Sequence, residues 1–157
     1  MELIDLLTKA VGIASNRLRI EPPKVIIGDY EEEYVFISDS YEIRLSNSFV
    51  SNNDELTVVG MAFHELRHAY QYIQIRFREE LKRNRIPVES DETIALWTHE
   101  FEIHDRTDDD WSLDIEVDAF AFMTYFMHRV FNVEADFDEE KMQLMKKKLQ
   151  LFNVIYN

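Results

Sequence analysis

The chain contains no cysteine among its 157 residues. Disulfide bonds, thiolate metal sites and a cysteine nucleophile are therefore excluded, and any metal must be held by histidine and carboxylate side chains. Glycine and proline occur only three times each, which favours long regular elements, mostly helices, over tight turns. A chain of this length predicts a single domain that spans residues 1–157.

Basic side chains are also scarce, because 17 Lys and Arg residues stand against 31 Asp and Glu residues and give a net charge of −14. Such a surface repels phosphate backbones and anionic lipids, so we expect neither nucleic acid nor a membrane as a partner. No apolar run approaches the roughly 18 residues that a membrane span requires. Residues 1–18 read as an amphipathic helix and not as a signal peptide, and we expect a cytoplasmic protein.

Apolar residues make up 46% of the chain, and their spacing predicts the order of the elements. A helical period predicts helices at 2–19, about 52–82, 91–103, 113–131 and 138–153. Three runs rich in β-branched and aromatic residues predict strands at 24–28, 33–38 and 41–46. Short polar links between these strands favour an antiparallel meander. The predicted class is α+β, with about three antiparallel strands packed on one helix and a mostly helical C-terminal half.

Residues 64–68, HELRH, form the pattern H-E-x-x-H within the predicted helix 52–82. Residues four apart on a helix lie on one face, so the imidazoles of His64 and His68 can reach the same zinc ion. Glu65 lies close enough to take a proton from zinc-bound water, whose pKa zinc lowers from 15.7 toward about 7. The stretch therefore predicts a zinc site in which Glu65 is the general base.

A catalytic zinc needs a third protein ligand, and the predicted helix 113–131 holds three carboxylates in an otherwise apolar segment. These are Asp114, Glu116 and Asp118. Burying a carboxylate in such a segment is costly unless it is paired or binds a cation. A zinc ion held by the facing helix would supply that cation, and on this ground alone any of the three is a candidate ligand.

The two segments together resemble a known family. HELRH is followed about 48 residues later by EVDAFAF at 116–122, and this combination is similar to the short gluzincin metallopeptidases of the ImmA/IrrE-type minigluzincin group. In that family the first glutamate of the downstream motif is the third zinc ligand. The resemblance implies a small zincin-like domain.

For the site residues, the resemblance implies His64, His68 and Glu116 as zinc ligands and Glu65 as the general base. A different register of the downstream motif would make Asp114 the ligand. Asp118 either orients a ligating histidine or points to solvent, and both readings stay open.

The chain also departs from the family pattern at two positions. Arg67 stands where many members have glycine, and Phe120 stands where many have asparagine or aspartate. We expect Arg67 to be a surface residue that forms a salt bridge.

The remaining histidines, His99, His104 and His128, are expected to be solvated, as histidines near acidic loops usually are. His104 is the best candidate for a role in the site, because it lies between the two motif helices. The run of aspartates at 108–110 lacks the glycine and the distal glutamate of a calcium loop, so we interpret it as a solvated acidic loop.

The predicted function is that of a zinc metallopeptidase that hydrolyses peptide bonds in a protein or peptide substrate. We expect the substrate to pair with an edge strand near residues 41–46 by β-augmentation. The alternative is a non-catalytic module that keeps a metallopeptidase fold and binds a partner protein, since a fold does not fix a function.

Overall fold

The computed structural model describes residues 1–104 and 109–157. Its elements in chain order are α1 (Leu3–Leu18), β1 (Lys24–Gly28), β2 (Tyr34–Ile37), β3 (Glu42–Ser46), α2 (Asn47–Asn52), α3 (Glu55–Arg76), α4 (Arg78–Arg83), α5 (Asp91–Ile103), α6 (Asp114–Phe131) and α7 (Glu139–Ile155). The α+β class and the helical C-terminal half are confirmed. None of the described helices combines the length and the apolar character that a membrane span requires.

The three strands form a mixed sheet in the order β1–β3–β2. β2 and β3 are antiparallel, as predicted, but β1 pairs with β3 in parallel, with Lys24 opposite Glu42. The predicted all-antiparallel meander is therefore wrong. The physical reason is burial: β3 has the two inward-facing side chains Ile43 and Leu45 fully buried, and it is buried at more positions than either flanking strand, as a central strand is.

The central position of β3 has a consequence for substrate binding. β3 has a hydrogen-bonded neighbour on each side, so it is not an edge strand. The prediction that a peptide pairs along residues 41–46 is wrong for that reason. The edge strands of the described sheet are β1 and β2, and β2 is the one that packs beside α3.

Helix α3 runs through the centre of the domain. Its N-cap is Asp54, whose side chain accepts a hydrogen bond from the Thr57 backbone at 2.7 Å, as the polar cluster at 52–54 predicts. The helix packs against α1, α5, α6 and β2, so it is buried on nearly all sides from Val58 to Gln71. Polar residues in this segment consequently face other side chains and not water.

The start of α6 is fixed by a residue from α5. Leu113, the N-cap of α6, offers no side-chain cap. Instead, the two carboxylate oxygens of Glu100 accept hydrogen bonds from the backbone amides of Asp114 at 2.9 Å and Ile115 at 3.0 Å. A buried carboxylate at a helix N-terminus also interacts favourably with the helix dipole. This contact sets the position of Glu116, one residue further on.

We expect Glu100→Gln to lower the free energy of unfolding by about 1–3 kcal/mol, because one buried amide loses its charged acceptor. Urea unfolding followed by circular dichroism measures this change. Glu102→Gln is the matched control, since Glu102 lies on the same helix and is exposed. Equal unfolding midpoints for the two variants would show that Glu100 does not hold the start of α6.

Candidate metal centre

Two adjacent helices bring the three predicted ligands together. On α3, the Nε2 atoms of His64 and His68 lie 3.2 Å apart. From α6, Glu116 places Oε2 at 3.1 Å from His64 Nε2 and Oε1 at 2.9 Å from His68 Nε2. All three side chains are buried. Four polar atoms from residues up to 52 positions apart thus converge on one point.

This donor set fits a zinc ion. In a tetrahedral site with bonds of 2.0–2.1 Å, ligand atoms lie about 3.3–3.4 Å apart, so the observed spacing of 2.9–3.2 Å requires only a small expansion. Glu116 Oε2 is buried and forms no hydrogen bond with a described residue, although His64 Nε2 lies 3.1 Å away as an ion-pair partner. A buried oxygen without a hydrogen bond is costly, and a cation between it and the two imidazoles would remove that cost.

The tautomer of His68 is dictated by Gln71, one turn further along α3. Gln71 Nε2 donates to the carbonyl oxygen of Ile115 at 3.0 Å and to Asp118 Oδ2 at 2.8 Å. Its Oε1 must therefore face His68 Nδ1, at 2.8 Å, and accept a hydrogen bond from it. Because Nδ1 carries a proton, Nε2 of His68 is left as the nitrogen that can bind a metal.

His64 is held differently. Its Nδ1 has no hydrogen-bond partner among the described residues, whereas a metal-ligating histidine usually donates its second N–H. The ring is instead packed against the ring of Phe120, with centroids 4.1 Å apart, and that of Tyr34, at 6.5 Å. Aromatic packing thus positions His64.

Glu65 lies beside the cluster, with its carboxylate among a group of atoms from His64 and His68 that lie within 4.8 Å of one another. Its Oε2 accepts a hydrogen bond from the backbone amide of Phe36 in β2 at 2.9 Å. Burial raises the pKa of Glu65 above its ordinary value, although the charges of His68 and His64 oppose the effect. A raised pKa suits a general base that works near neutral pH.

The charged groups of the cluster shift one another's pKa values. Burial alone would lower the pKa of His68, but its hydrogen bond to Glu116 and the charges of Glu116 and Glu65 outweigh burial and raise it to about 9. Burial alone would raise the pKa of Glu116, but the neighbouring imidazoles of His64 and His68 hold it well below its usual range. The arrangement therefore favours a negative carboxylate beside positive charge.

Asp114 is not part of the cluster. Its Oδ2 accepts hydrogen bonds from Trp97 Nε1 at 2.8 Å and from Lys148 Nζ at 3.0 Å. The structure therefore favours Glu116 over the alternative register with Asp114 as the third ligand, because the Asp114 carboxylate has two partners on other helices and the cluster contains Glu116.

Asp118 is buried, and neither reading proposed for it is correct. It forms an ion pair with Arg67, whose Nε lies 2.7 Å from Asp118 Oδ2, and it reaches His68 only through Gln71. Arg67 is only 2% exposed, so the prediction of a surface residue is also wrong, although the predicted salt bridge is present. Arg67 and Asp118, each in an apolar segment, thus form a buried ion pair.

His104, at the C-cap of α5, joins the site. Its side chain is 5% exposed, and its Nε2 lies 3.1 Å from Glu116 Oε1. The expectation of a solvated residue is wrong for His104, while His99 and His128 are exposed as predicted. The only signal in the sequence was its position between the two motif helices.

Two further residues at the site were not expected from the sequence. The Tyr34 hydroxyl donates a hydrogen bond to Asp109 Oδ2 at 2.7 Å, and the Asp109 carboxylate lies in a group with His64 and Glu116 within 4.8 Å. Asp110 accepts hydrogen bonds from Ser112, while Asp108 lies outside the described residues, as do the other positions of 105–108.

The site encloses a cavity of about 10 Å³. Its walls come from β2, α3, α5 and α6 and include Val35, Phe36, Phe101, His104 and Ile115. A cavity needs roughly 10–15 Å³ to hold a single water molecule. The space between the ligands and these walls can therefore take a small ion or one water molecule.

Comparisons with protein-family models, with curated proteins and with solved structures gave no significant match to this chain. The candidate function therefore rests on the geometry of the site and on the resemblance carried by its two motifs.

Proposed function

We propose that the chain is a zinc-dependent metallopeptidase of the gluzincin type. The observation that carries the proposal is the convergence of His64, His68 and Glu116 within 3.2 Å of one another, with the Glu65 carboxylate beside them. A site that only stabilises the fold has no need of a base at this position, and the intact Glu65 favours catalysis.

In this proposal zinc, when bound by His64, His68 and Glu116, supplies a Lewis acid that polarises a carbonyl and acidifies water. Glu65 takes a proton from the attacking water as the new C–O bond forms on the peptide carbon. It then gives that proton to the leaving amine as the C–N bond breaks. The Phe36 amide holds the Glu65 carboxylate in place through these steps.

Two donors stand beside the cluster and are our candidates for stabilising the oxyanion. His104 contacts Glu116, and the Tyr34 ring lies against His64. Burial and the hydrogen bond to Asp109 raise the pKa of Tyr34 well above its ordinary value. Its hydroxyl is therefore protonated at neutral pH, and it would donate to the oxyanion after releasing Asp109.

The substrate would be an extended peptide that lies along β2, the edge strand beside α3. The backbone amide of Phe36 points away from β3, toward Glu65, so the free side of β2 faces the site. Because the space beside Glu65 and Glu116 is only about 10 Å³, we expect the lining side chains of Phe36 and Phe101 to shift when a peptide binds.

The proposal is tested with an unfolded protein substrate, because an extended chain can reach a strand edge. Zinc-loaded protein is incubated with reduced, carboxymethylated casein, and new termini are identified by mass spectrometry. We expect cleavage that a zinc chelator abolishes and that added zinc restores. Cleavage that persists in excess chelator would point to a contaminating protease.

The second candidate is a non-catalytic module, and the small volume of the cavity favours it. In that case the site holds a metal that stabilises the fold, and the acidic surface binds a partner. Stoichiometric zinc binding without cleavage of unfolded or native substrates would decide for this module and against the peptidase.

Gln71→Leu should weaken zinc binding by about 10–100-fold, because loss of a partner that orients a ligating histidine typically has that effect. The dissociation constant is measured by competition with a chromophoric chelator. Gln74→Leu is the matched control, since Gln74 is equally buried on α3 but bonds to Pro87 and Glu89 instead. Equal zinc affinity in the two variants would remove Gln71 from the site.

A further inference from the structure

A second, larger cavity lies beside the Arg67–Asp118 ion pair. Its volume is about 340 Å³, which falls within the range of small-molecule sites, roughly 300–1,000 Å³. It shares no lining residue with the cavity at the metal centre. Its walls come from the end of α1, from α3, α5, α6 and α7, and from residues 86–89.

The charge of this cavity is opposite to that of the whole chain. Its lining contains four basic side chains and two acidic ones, whereas the chain carries −14. The basic residues are Arg17, Arg19, Arg67 and Lys148, and the acidic ones are Glu89 and Asp118. A basic concavity on an acidic protein attracts anions selectively, because the rest of the surface repels them.

Two of these cations have no partner in the described part of the chain. Arg67 and Lys148 are paired with Asp118, and Lys148 also with Asp114. Arg17 and Arg19 are exposed, and neither forms an ion pair or a side-chain hydrogen bond with a described residue. Guanidinium groups bind phosphate and carboxylate in a bidentate manner, and both line the same cavity.

The remaining walls are apolar and aromatic. They include Tyr70 and Phe152, whose rings both lie against the Arg67 guanidinium at 4.0 and 4.8 Å, together with Pro87, Val88 and Leu151. A bare inorganic ion would leave these walls in contact with water, whereas a ligand with an apolar body would cover them.

We propose that this cavity binds a small organic anion. Its phosphate or carboxylate group pairs with Arg17 and Arg19, and its apolar body lies against the aromatic wall. The occupied cavity also changes the hydrogen bonding of His68.

The route to His68 consists of described side chains in direct contact. Asp118 Oδ1 lies 3.3 Å from Arg67 and 3.4 Å from Lys148 at the cavity, and Asp118 Oδ2 accepts from Gln71 at 2.8 Å. Gln71 in turn accepts from His68. An anionic group held by Arg17 and Arg19 lies in the same cavity as Arg67 and Lys148 and attracts these two cations away from Asp118. The contact from Asp118 to Gln71, and hence to His68, must then adjust. Regulation of catalysis by this route rests on the proposed function, but the binding itself does not.

The binding is tested by nuclear magnetic resonance titration of metal-free, ¹⁵N-labelled protein, so the result does not depend on whether zinc binds. The probes are phenyl phosphate, benzoate, inorganic phosphate and benzyl alcohol. We expect phenyl phosphate or benzoate to shift the amide signals of residues 17–19 and 86–89 in a saturable way. Benzyl alcohol should bind much more weakly, and inorganic phosphate should bind more weakly than phenyl phosphate.

The two arginines are tested with the double variant Arg17→Gln/Arg19→Gln, in which we expect the affinity for the better probe to fall by at least about tenfold. Arg76→Gln/Arg83→Gln is the matched control, because it removes the same charge at two exposed arginines outside the cavity. The proposal is overturned if neither organic anion binds at millimolar concentration, if inorganic phosphate binds as tightly as phenyl phosphate, or if both double variants lose affinity equally.

The transmission to His68 is measured in the same titration from the imidazole ¹⁵N signals. The better of the two organic anions should shift the His68 signals but not those of His99, which is exposed. In Gln71→Leu the shift at His68 should disappear while the amide shifts at residues 17–19 remain. Unchanged His68 signals at saturation of the cavity would rule out the transmission.

Discussion

Glu65→Gln is expected to reduce kcat/KM for peptide hydrolysis by about 10²–10⁴-fold, the usual contribution of a general acid–base group. The amide is nearly isosteric with the carboxylate, and its oxygen can still accept the hydrogen bond from the Phe36 amide. The fold and the zinc content should therefore be unchanged. The rate of hydrolysis is measured on a synthetic peptide that spans a bond cleaved in casein. The zinc content of the same sample is measured by mass spectrometry.

Glu55→Gln is the matched control for this experiment. Glu55 lies in the first turn of the same helix and is exposed, so its variant should hydrolyse the peptide at the wild-type rate. Undiminished hydrolysis by Glu65→Gln would exclude Glu65 as the base. If Glu65→Gln instead lost zinc together with activity, Glu65 would be acting in metal binding and not in proton transfer.

The ligand pair on α3 could be predicted because its spacing is local. Residues four apart on any helix share a face, and the helix itself follows from the apolar period and the Asp54 cap. A ligand on α6 was predictable for a different reason, since a carboxylate within an apolar helix needs a cation, but Glu116 in particular was implied only by the resemblance of its motif. The choice between Glu116 and Asp114, however, depended on Trp97 and Lys148, which lie elsewhere in the sequence.

The order of the strands could not be predicted in the same way. The lengths of the links do not decide whether β2 or β3 lies at the centre of the sheet. The central position of β3 goes with the full burial of Ile43 and Leu45. That burial depends on packing against helices that no local pattern records. The predicted peptide site was wrong for the same reason. The meander would place β3 at the edge of the sheet, whereas the structure has β3 at the centre and β2 at the edge.

The side chains around the ligands were also beyond local patterns. Gln71 contacts Asp118 across 47 positions, and His104 contacts Glu116 across 12. One signal was present but was read wrongly, because Arg67 and Asp118 both lie in apolar segments. Two opposite charges of that kind indicate a buried ion pair, since neither is tolerated alone in a core.

Removal of a zinc ligand is expected to have the largest effect on the zinc content of the protein. Protein purified without added zinc should contain close to one zinc per chain, and His64→Ala should lower zinc affinity by more than about 100-fold. That estimate exceeds the 10–100-fold that loss of an outer partner costs, because a direct ligand is removed. Glu116→Gln keeps the shape of the side chain but removes the charge that faces both imidazoles, so it should weaken zinc binding clearly.

Asp114→Asn provides the control that separates the two registers of the downstream motif. It lies on the same helix, two residues before Glu116, and its partners are Trp97 and Lys148. Its zinc affinity should therefore equal that of the wild type. Loss of zinc in Asp114→Asn with retention in Glu116→Gln would reverse the assignment of the third ligand. A wild-type chain that binds no zinc even on titration would leave the convergence of His64, His68 and Glu116 as a buried hydrogen-bonded cluster, and the peptidase proposal would fall with it.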